Sequence, residues 1–367
     1  MKIIVIATHS FPIPYKTHTG DVVILDLVNS LAELGHDVTL AAPDGSLPSP
    51  KVKHISMPAS YGKFPPSAQD CEAECYTQNF GLFSSADIVH DFSIGKTIVH
   101  SLNVSGRKNT LCTLMGGAWL QATSPHNLVV WSEAHRDRVR RGATDYEGTS
   151  TPNLAAGNGF PVNDAHVVYG GVDTKFYTPT YDKKDFYLWM NRWHPAKGYR
   201  RAIEVAKATG IKLVLAGEHP DNEMFDYQKQ CALEAMSLAS GCSNIEFSFL
   251  PPDPEHHIAK RELYRQAKAL LYCVDFQEPF GLSQVEAMAC GTPIIGTKFG
   301  SVPEVVEHGV TGYVVPDTVE DLSGAVARAD ALNLDACRSR AVSKFDKTVM
   351  ARSYLAQYER ILAGESW

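Results

Sequence analysis

The sequence predicts an α/β protein built of two doubly wound domains, and three observations predict it. Short β-branched runs alternate with longer stretches of helical periodicity, the pattern of strands joined by crossover helices. The strand-like runs lack the period-two alternation of a half-exposed sheet, as expected when helices cover both faces. A polar, aperiodic stretch at residues 177–185, carrying Pro179, separates two such series. The 367 residues suit two domains, or three, at roughly 150 residues each.

In the first series residues 2–7 read as a strand. Ile24, Leu27, Val28, Leu31 and Leu34 then recur at helical spacing with Gly35 as the stop, and residues 37–42 complete a strand, helix and strand. Further strands are expected at 87–90, 110–114, 128–131 and 166–169. The second series places strands at 186–190, 212–216, 245–249, 269–274 and 293–296, and helices at about 197–209, 224–240, 261–267 and 283–289. Residues 345–363 form a last helix with no strand after it, on which Val349, Ala351, Tyr354, Leu355, Tyr358 and Ile361 keep an apolar stripe that must be buried. Ligands of such sheets bind at the carboxyl ends of the strands, so the chemistry is sought in strand-to-helix loops.

Composition excludes several classes. The chain is 44% hydrophobic and 20% charged, the ordinary globular mix rather than that of a disordered or fibrous chain. Lys and Arg number 34 against 41 Asp and Glu, a net charge of −7 without long runs of one sign, whereas a general nucleic-acid binder is usually basic. No stretch approaches the roughly 18 apolar residues of a bilayer span. The apolar run at the start is shorter than a signal-peptide core and passes at once into His9 and Ser10, so a cytoplasmic protein is expected. Of the eight cysteines only Cys71 and Cys75 are close in sequence, with no second Cys or His pair after them, and zinc is not expected.

The most informative stretch is 275–293, a strand end, a glycine-containing loop and a helix opening near Ser283. The backbone N–H groups of Gly281, Leu282 and Ser283 point out of such a helix start and suit a phosphate. Glu278 and Glu286 flank them, placed to accept hydrogen bonds from sugar hydroxyls. Ser283-Gln-Val-Glu286 is equally a capping box, in which Glu286 only closes the helix start. Glu278, beside Pro279 and Phe280 in a loop after a buried strand, has no such routine task.

Glu278 and Glu286 with seven residues between them, followed by Ala-Met-Ala-Cys-Gly-Thr-Pro, resemble the signature of the GT4 glycosyltransferases, and the similarity continues from Gly300 through Val315. Asn191-Arg192 and Lys197-Gly198 look like the basic pair that binds the donor diphosphate in that family, with Asn191 in place of the usual Gly. Val167-Val-Tyr-Gly-Gly-Val-Asp resembles the family's approach to the linker, and His18-Thr-Gly-Asp21 its glycine loop, with Gly20 alone where two glycines are frequent. The first domain departs more: His90-Asp91-Phe92 stands for the family's His-x-His, and Thr113-Leu-Met-Gly116 for its Thr-x-His-Gly, so that Met115 suggests an apolar wall.

The resemblance implies a GT-B architecture of two Rossmann-like domains facing a central cleft. Residues 1–178 would form the acceptor side, residues 179–344 the nucleotide-sugar domain, and a final helix at about 345–367 would cross back to the first domain. It implies a retaining transferase moving a hexose from a nucleotide sugar, UDP-linked in preference to GDP-mannose, to a hydroxyl acceptor. Arg192, Lys197 and Glu278 would act at the reaction centre. Gly20, Phe280, Gly281, Leu282, Ser283 and Glu286 would hold the donor, and His18, His90 and Asp91 would lie on the sugar or acceptor side. No cofactor is implied, and with no Asp-x-Asp pattern near a glycine loop no metal is expected. The alternatives are a sugar-nucleotide epimerase of the same fold, told apart by transfer to a second molecule, and a non-catalytic sugar-binding protein. Arg136, Arg138, Arg140 and Arg141 crowd one short helix that reads as solvated rather than membrane-docking, because it lacks a Trp, Phe and Leu face.

Overall fold

A computed structural model describes residues 1–14, 19–59, 67–116, 127–141, 164–220, 226–251 and 255–367. The apolar runs form thirteen named strands among these residues: β1 (Lys2–Ile6), β2 (Asp37–Pro43), β3 (Lys53–Met57), β4 (Ile88–Asp91), β5 (Thr110–Leu114), β6 (Leu128–Val130) and β7 (Ala165–Val167), then β8 (Tyr187–Met190), β9 (Leu213–Glu218), β10 (Ile245–Leu250), β11 (Ala269–Tyr272), β12 (Ile294–Thr297) and β13 (Gly312–Val315). Helices α1 (Thr19–Glu33), α2 (Ser67–Gln78), α3 (Phe80–Ser84), α4 (Thr97–Val104) and α5 (Glu133–Arg140) accompany the first seven. The others are accompanied by α6 (Tyr199–Thr209), α7 (Asp226–Leu238), α8 (His256–Gln266), α9 (Leu282–Ala289), α10 (Val302–Val305), α11 (Val319–Val326) and α12 (Leu334–Phe345), and α13 (Lys347–Leu362) ends the chain's regular structure.

The strands make two wholly parallel sheets, one ordered β3-β2-β1-β4-β5-β6-β7 and the other β10-β9-β8-β11-β12-β13. Central strands are buried along almost all of their length because helices cover both faces, which is why β1 after Lys2 reads as an unbroken apolar run and β5 departs from one only at the buried Thr110 and Thr113. Two strands differ from expectation. β3 is an edge strand whose Lys53, His54 and Ser56 are exposed, and β13 is a four-residue edge strand opening on Gly312, so neither carries a long apolar run.

Among the described residues, one compact unit comprises 1–141, 164–171 and Lys347–Trp367, and the other Val172–Asp346. The division thus falls before the polar stretch at 177–185, because Val172 N–H donates to Phe345 O (2.9 Å), Thr174 to Asp346 (2.5 Å) and Tyr177 to Glu286 (2.9 Å), all within the second unit. The single helix expected over 345–363 is two. Phe345 ends α12, and Asp346 interrupts with extended backbone (ψ 144°) before α13 begins.

The helix α13 belongs to the first unit, where residues of its apolar stripe are buried. Tyr354 and Tyr358 are fully buried on it, and their hydroxyls lie 3.1 Å from Thr113 Oγ1 and 2.8 Å from His90 Nδ1. Beyond the helix, Trp367 stacks on His166 at 3.9 Å and donates its indole N–H to Leu128 O. No described helix is long and apolar enough to cross a membrane.

Candidate functional site

In each sheet the strand order reverses beside its first strand, between β1 and β4 and between β8 and β11. Loops leaving neighbouring strands at such a point diverge and open a crevice, the usual ligand position of an open α/β sheet. In the second unit these loops are residues 191–198, leading to α6, and 273–281, leading to α9.

The first loop is built to hold Lys197. A 3₁₀ turn, Pro195–Lys197, is capped by His194, whose Nδ1 accepts from Ala196 N–H at 3.1 Å. Trp193 is buried and donates to Glu218 O, while Trp189 donates to Lys197 O, both at 2.8 Å. Asp275 N–H donates to Ala196 O at 2.8 Å and ties the loops together. Gly198 follows at φ +75°, so close to the other loop that a Cβ there would stand 1.7 Å from Cys273 O.

The second loop presents Glu278. Lys197 Nζ lies 2.7 Å from Glu278 Oε2 and 4.4 Å from the Phe276 ring centroid, and the Tyr272 hydroxyl donates to the same Oε2 at 2.6 Å. Both charged side chains are largely buried, 16% and 8% exposed, so the pair is held in a medium where charge interactions are weakly screened. Burial first, then the Glu278 charge, pushes the Tyr272 phenol well above its usual range and keeps it a donor. Arg192 is exposed, with no ion-pair partner among the described residues. Burial, followed by the charges of Arg192 and Lys197, holds His194 down at about 4, a neutral ring between two cations.

The helix α9 starts one residue earlier than expected, at Leu282, with Gly281 at its N-cap in the left-handed region (φ 78°) and no side-chain cap. The capping-box reading of Ser283 and Glu286 therefore falls. Glu286 is instead enclosed: Lys260 Nζ lies 2.8 Å from Oε1 and 2.6 Å from Oε2, Tyr177 donates to Oε1 at 2.9 Å and Tyr264 to Oε2 at 3.2 Å. A carboxylate has about four lone-pair positions, so its acceptor capacity is met here rather than held open for ribose hydroxyls. Phe280 also departs from expectation. Its ring is buried against Phe345 (centroids 5.7 Å), and its carbonyl takes Gln284 Nε2 and Ser301 Oγ, both at 2.8 Å, which makes it a packing residue.

Sequence reasoning missed Lys260, Tyr264, Tyr177 and Tyr272. Lys260 and Tyr264 sit four residues apart on α8, one face of a helix, but the expected helix began at residue 261 and left Lys260 out.

In the first unit His90 cannot meet a sugar. It is fully buried, its Nε2 lies 2.7 Å from Thr113 Oγ1, and its Nδ1 is taken by Tyr358. Asp91 is also fully buried, its Oδ1 accepting from Ser93 N–H at 2.7 Å and lying 3.5 Å from Lys96 Nζ. Glu72 of α2 takes the N–H groups of Gly95 (2.8 Å) and Thr97 (2.7 Å), so a carboxylate of the chain itself occupies the N-terminus of α4. Gly20 lies within α1 rather than in a loop before it, and a Cβ there would make only an ordinary 3.9 Å contact with Met115 Sδ. His18 lies outside the described residues. Of the four arginines expected on a solvated helix, Arg138 is instead buried, Arg136 pairs with Glu133, and Arg140 and Arg141 are exposed.

Asp21, buried in the first turn of α1, accepts from the Thr8 hydroxyl at 2.8 Å, and burial raises its carboxyl to about 6 despite that bond. The folded state therefore holds this proton more tightly than the unfolded chain. The contribution to stability is full below about pH 4 and falls as pH rises through 4 to 6. Asp21→Asn keeps an acceptor for Thr8 without the charge. Urea unfolding is expected to show it more stable than wild type by up to about 3 kcal/mol at pH 8 and nearly equal at pH 4.

Residues 173–340 match the family model described as Glycosyl transferases group 1. The chain is 27% identical over 227 residues to alpha-maltose-1-phosphate synthase of Mycolicibacterium smegmatis, covering 54% of this chain and 57% of that protein. It spans about half the length of the curated relatives it matches. Among solved structures, sucrose-phosphate synthase from Thermosynechococcus elongatus is similar with a TM-score of 0.76 at 18% identity, 99% of each chain being covered. Anabaena HepE in complex with UDP-glucose is similar with a TM-score of 0.63 at 15% identity, with both chains wholly covered. The match to the group 1 glycosyl transferases thus covers nearly all of the second unit, and the two parallel-sheet units have the GT-B fold of these solved structures.

Proposed function

We propose that the protein is a retaining glycosyltransferase that moves a hexose from a UDP-sugar to a hydroxyl acceptor without a required metal ion. The observation that carries this reading is the meeting of Lys197 and Glu278, a cation and a carboxylate 2.7 Å apart, at the strand ends of the second unit just before the start of α9. An anion beside Lys197 gains the helix-start amides as well. A hexose beside Glu278 gains a strong acceptor already oriented by Tyr272. HepE, a protein of the same fold, has been crystallised with UDP-glucose, which supports UDP over GDP as the carrier.

In this reading the bond between the anomeric carbon and the diphosphate oxygen breaks as the bond to the acceptor oxygen forms on the same face. The departing phosphate oxygen takes the acceptor's proton. Charge develops on the diphosphate, where Lys197, Arg192 and the first amides of α9 stabilise it as it appears. Glu286 then serves to fix α9 against α8. The test is proton NMR of reactions holding UDP-glucose or GDP-mannose with a panel of hydroxyl acceptors. The expected result is a new α-anomeric signal that depends on the acceptor and is larger with UDP-glucose. Interconversion of the donor without transfer would make the protein an epimerase and overturn the reading.

A further inference from the structure

The Lys197–Glu278 pair has a consequence for which ligand the site prefers. The carboxylate is 6% exposed as a residue, its Oε2 already takes Tyr272, and Lys197 lies 2.7 Å away. A complete donor replaces both halves of the pair, since the diphosphate takes over the ammonium and the hexose hydroxyls take over the carboxylate. A bare nucleoside diphosphate replaces only one half. It draws Lys197 away and leaves Glu278 a buried anion with the Tyr272 hydroxyl and no counter-charge, a costly state.

We propose that the Lys197–Glu278 ion pair is a latch that makes the site discriminate the sugar-bearing donor from the spent nucleoside diphosphate, so that re-forming the pair expels the product. This rests on the donor reading above, with Lys197 facing the diphosphate and Glu278 the sugar. The specificity lies in the coupling of the two groups. Once the hexose has left, Glu278, 2.7 Å from Lys197 in the paired state, competes for it again, and each turnover returns the site to that state.

Titration calorimetry of UDP and UDP-glucose, with GDP and GDP-mannose run in parallel, tests the latch in wild type and in Glu278→Gln. Gln keeps an acceptor for Tyr272 but removes the charge that competes for Lys197. The variant is expected to bind the bare nucleotide more tightly, about tenfold, while the sugar nucleotide gains nothing, so that the preference for the donor shrinks. Tyr272→Phe leaves the ion pair in place and is expected to give no such tightening. Glu278→Asp, which draws the carboxylate back by one methylene, is expected to shift the preference the same way to a smaller degree and serves if Glu278→Gln does not fold. Unchanged or weakened nucleotide binding in the folded Glu variants overturns the latch while leaving the donor reading intact. Failure of wild type to bind either pair overturns both.

Discussion

Gly198→Ala is expected to destabilise the second unit by about 4 kcal/mol or more, in the range reserved for a named steric or packing failure. Two independent costs add. The backbone has φ +75°, where a residue with a Cβ is strained. The new atom would also stand 1.7 Å from Cys273 O, a backbone carbonyl held in the neighbouring loop, with the Cys273 Cβ at 2.9 Å. Relief requires the 191–198 loop to move away from β11, which carries Lys197 away from Glu278. Urea unfolding followed by transfer assays is expected to show both the lowered midpoint and a large fall in kcat. Stability within about 1 kcal/mol of wild type would mean that the two loops are not packed in this way.

Lys260→Met is expected to cost about 3–5 kcal/mol, because it leaves the buried Glu286 without a counter-charge. The pair is only 5% and 6% exposed, and the remaining partners of Glu286, Tyr177 and Tyr264, are neutral phenols whose ionisation is pushed far up by burial and then by the Glu286 charge itself. Adding Glu286→Met should recover part of the loss, since an apolar pair of similar volume removes the uncompensated charge. Denaturant midpoints of the two single variants and the double variant measure the coupling. Strict additivity of the single losses would show that Lys260 and Glu286 do not depend on each other.

What was legible in the sequence followed from local chemistry. The strands β1 and β11 announce themselves because both faces are covered and their side chains, Lys2 apart, are aliphatic or aromatic, while β5 keeps the signal with Thr110 and Thr113 buried among its apolar residues. Glu278 stood out because a carboxylate in a loop after such a strand lacks a structural task, and the structure gives it Lys197 as a partner 81 residues away in sequence. The remainder depended on distant partners. The tyrosine that binds Glu286 from the second unit's first segment is 109 residues from it, and His90, polar at a strand end and so a plausible ligand contact by sequence, is matched to Tyr358 at a separation of 268. Phe280 misled for the opposite reason. An aromatic beside a functional carboxylate reads as part of its site, yet its ring faces Phe345 on the helix that closes the unit.

The central claim, that Lys197 receives a diphosphate at the strand ends of the second unit, is tested most directly by titrating UDP and uridine into wild type and Lys197→Ala. Loss of a charge-assisted contact to the diphosphate is expected to weaken UDP by about ten- to a hundredfold while uridine changes by less than about twofold. Equal losses for UDP and uridine, or UDP affinity untouched by the substitution, would contradict the assignment.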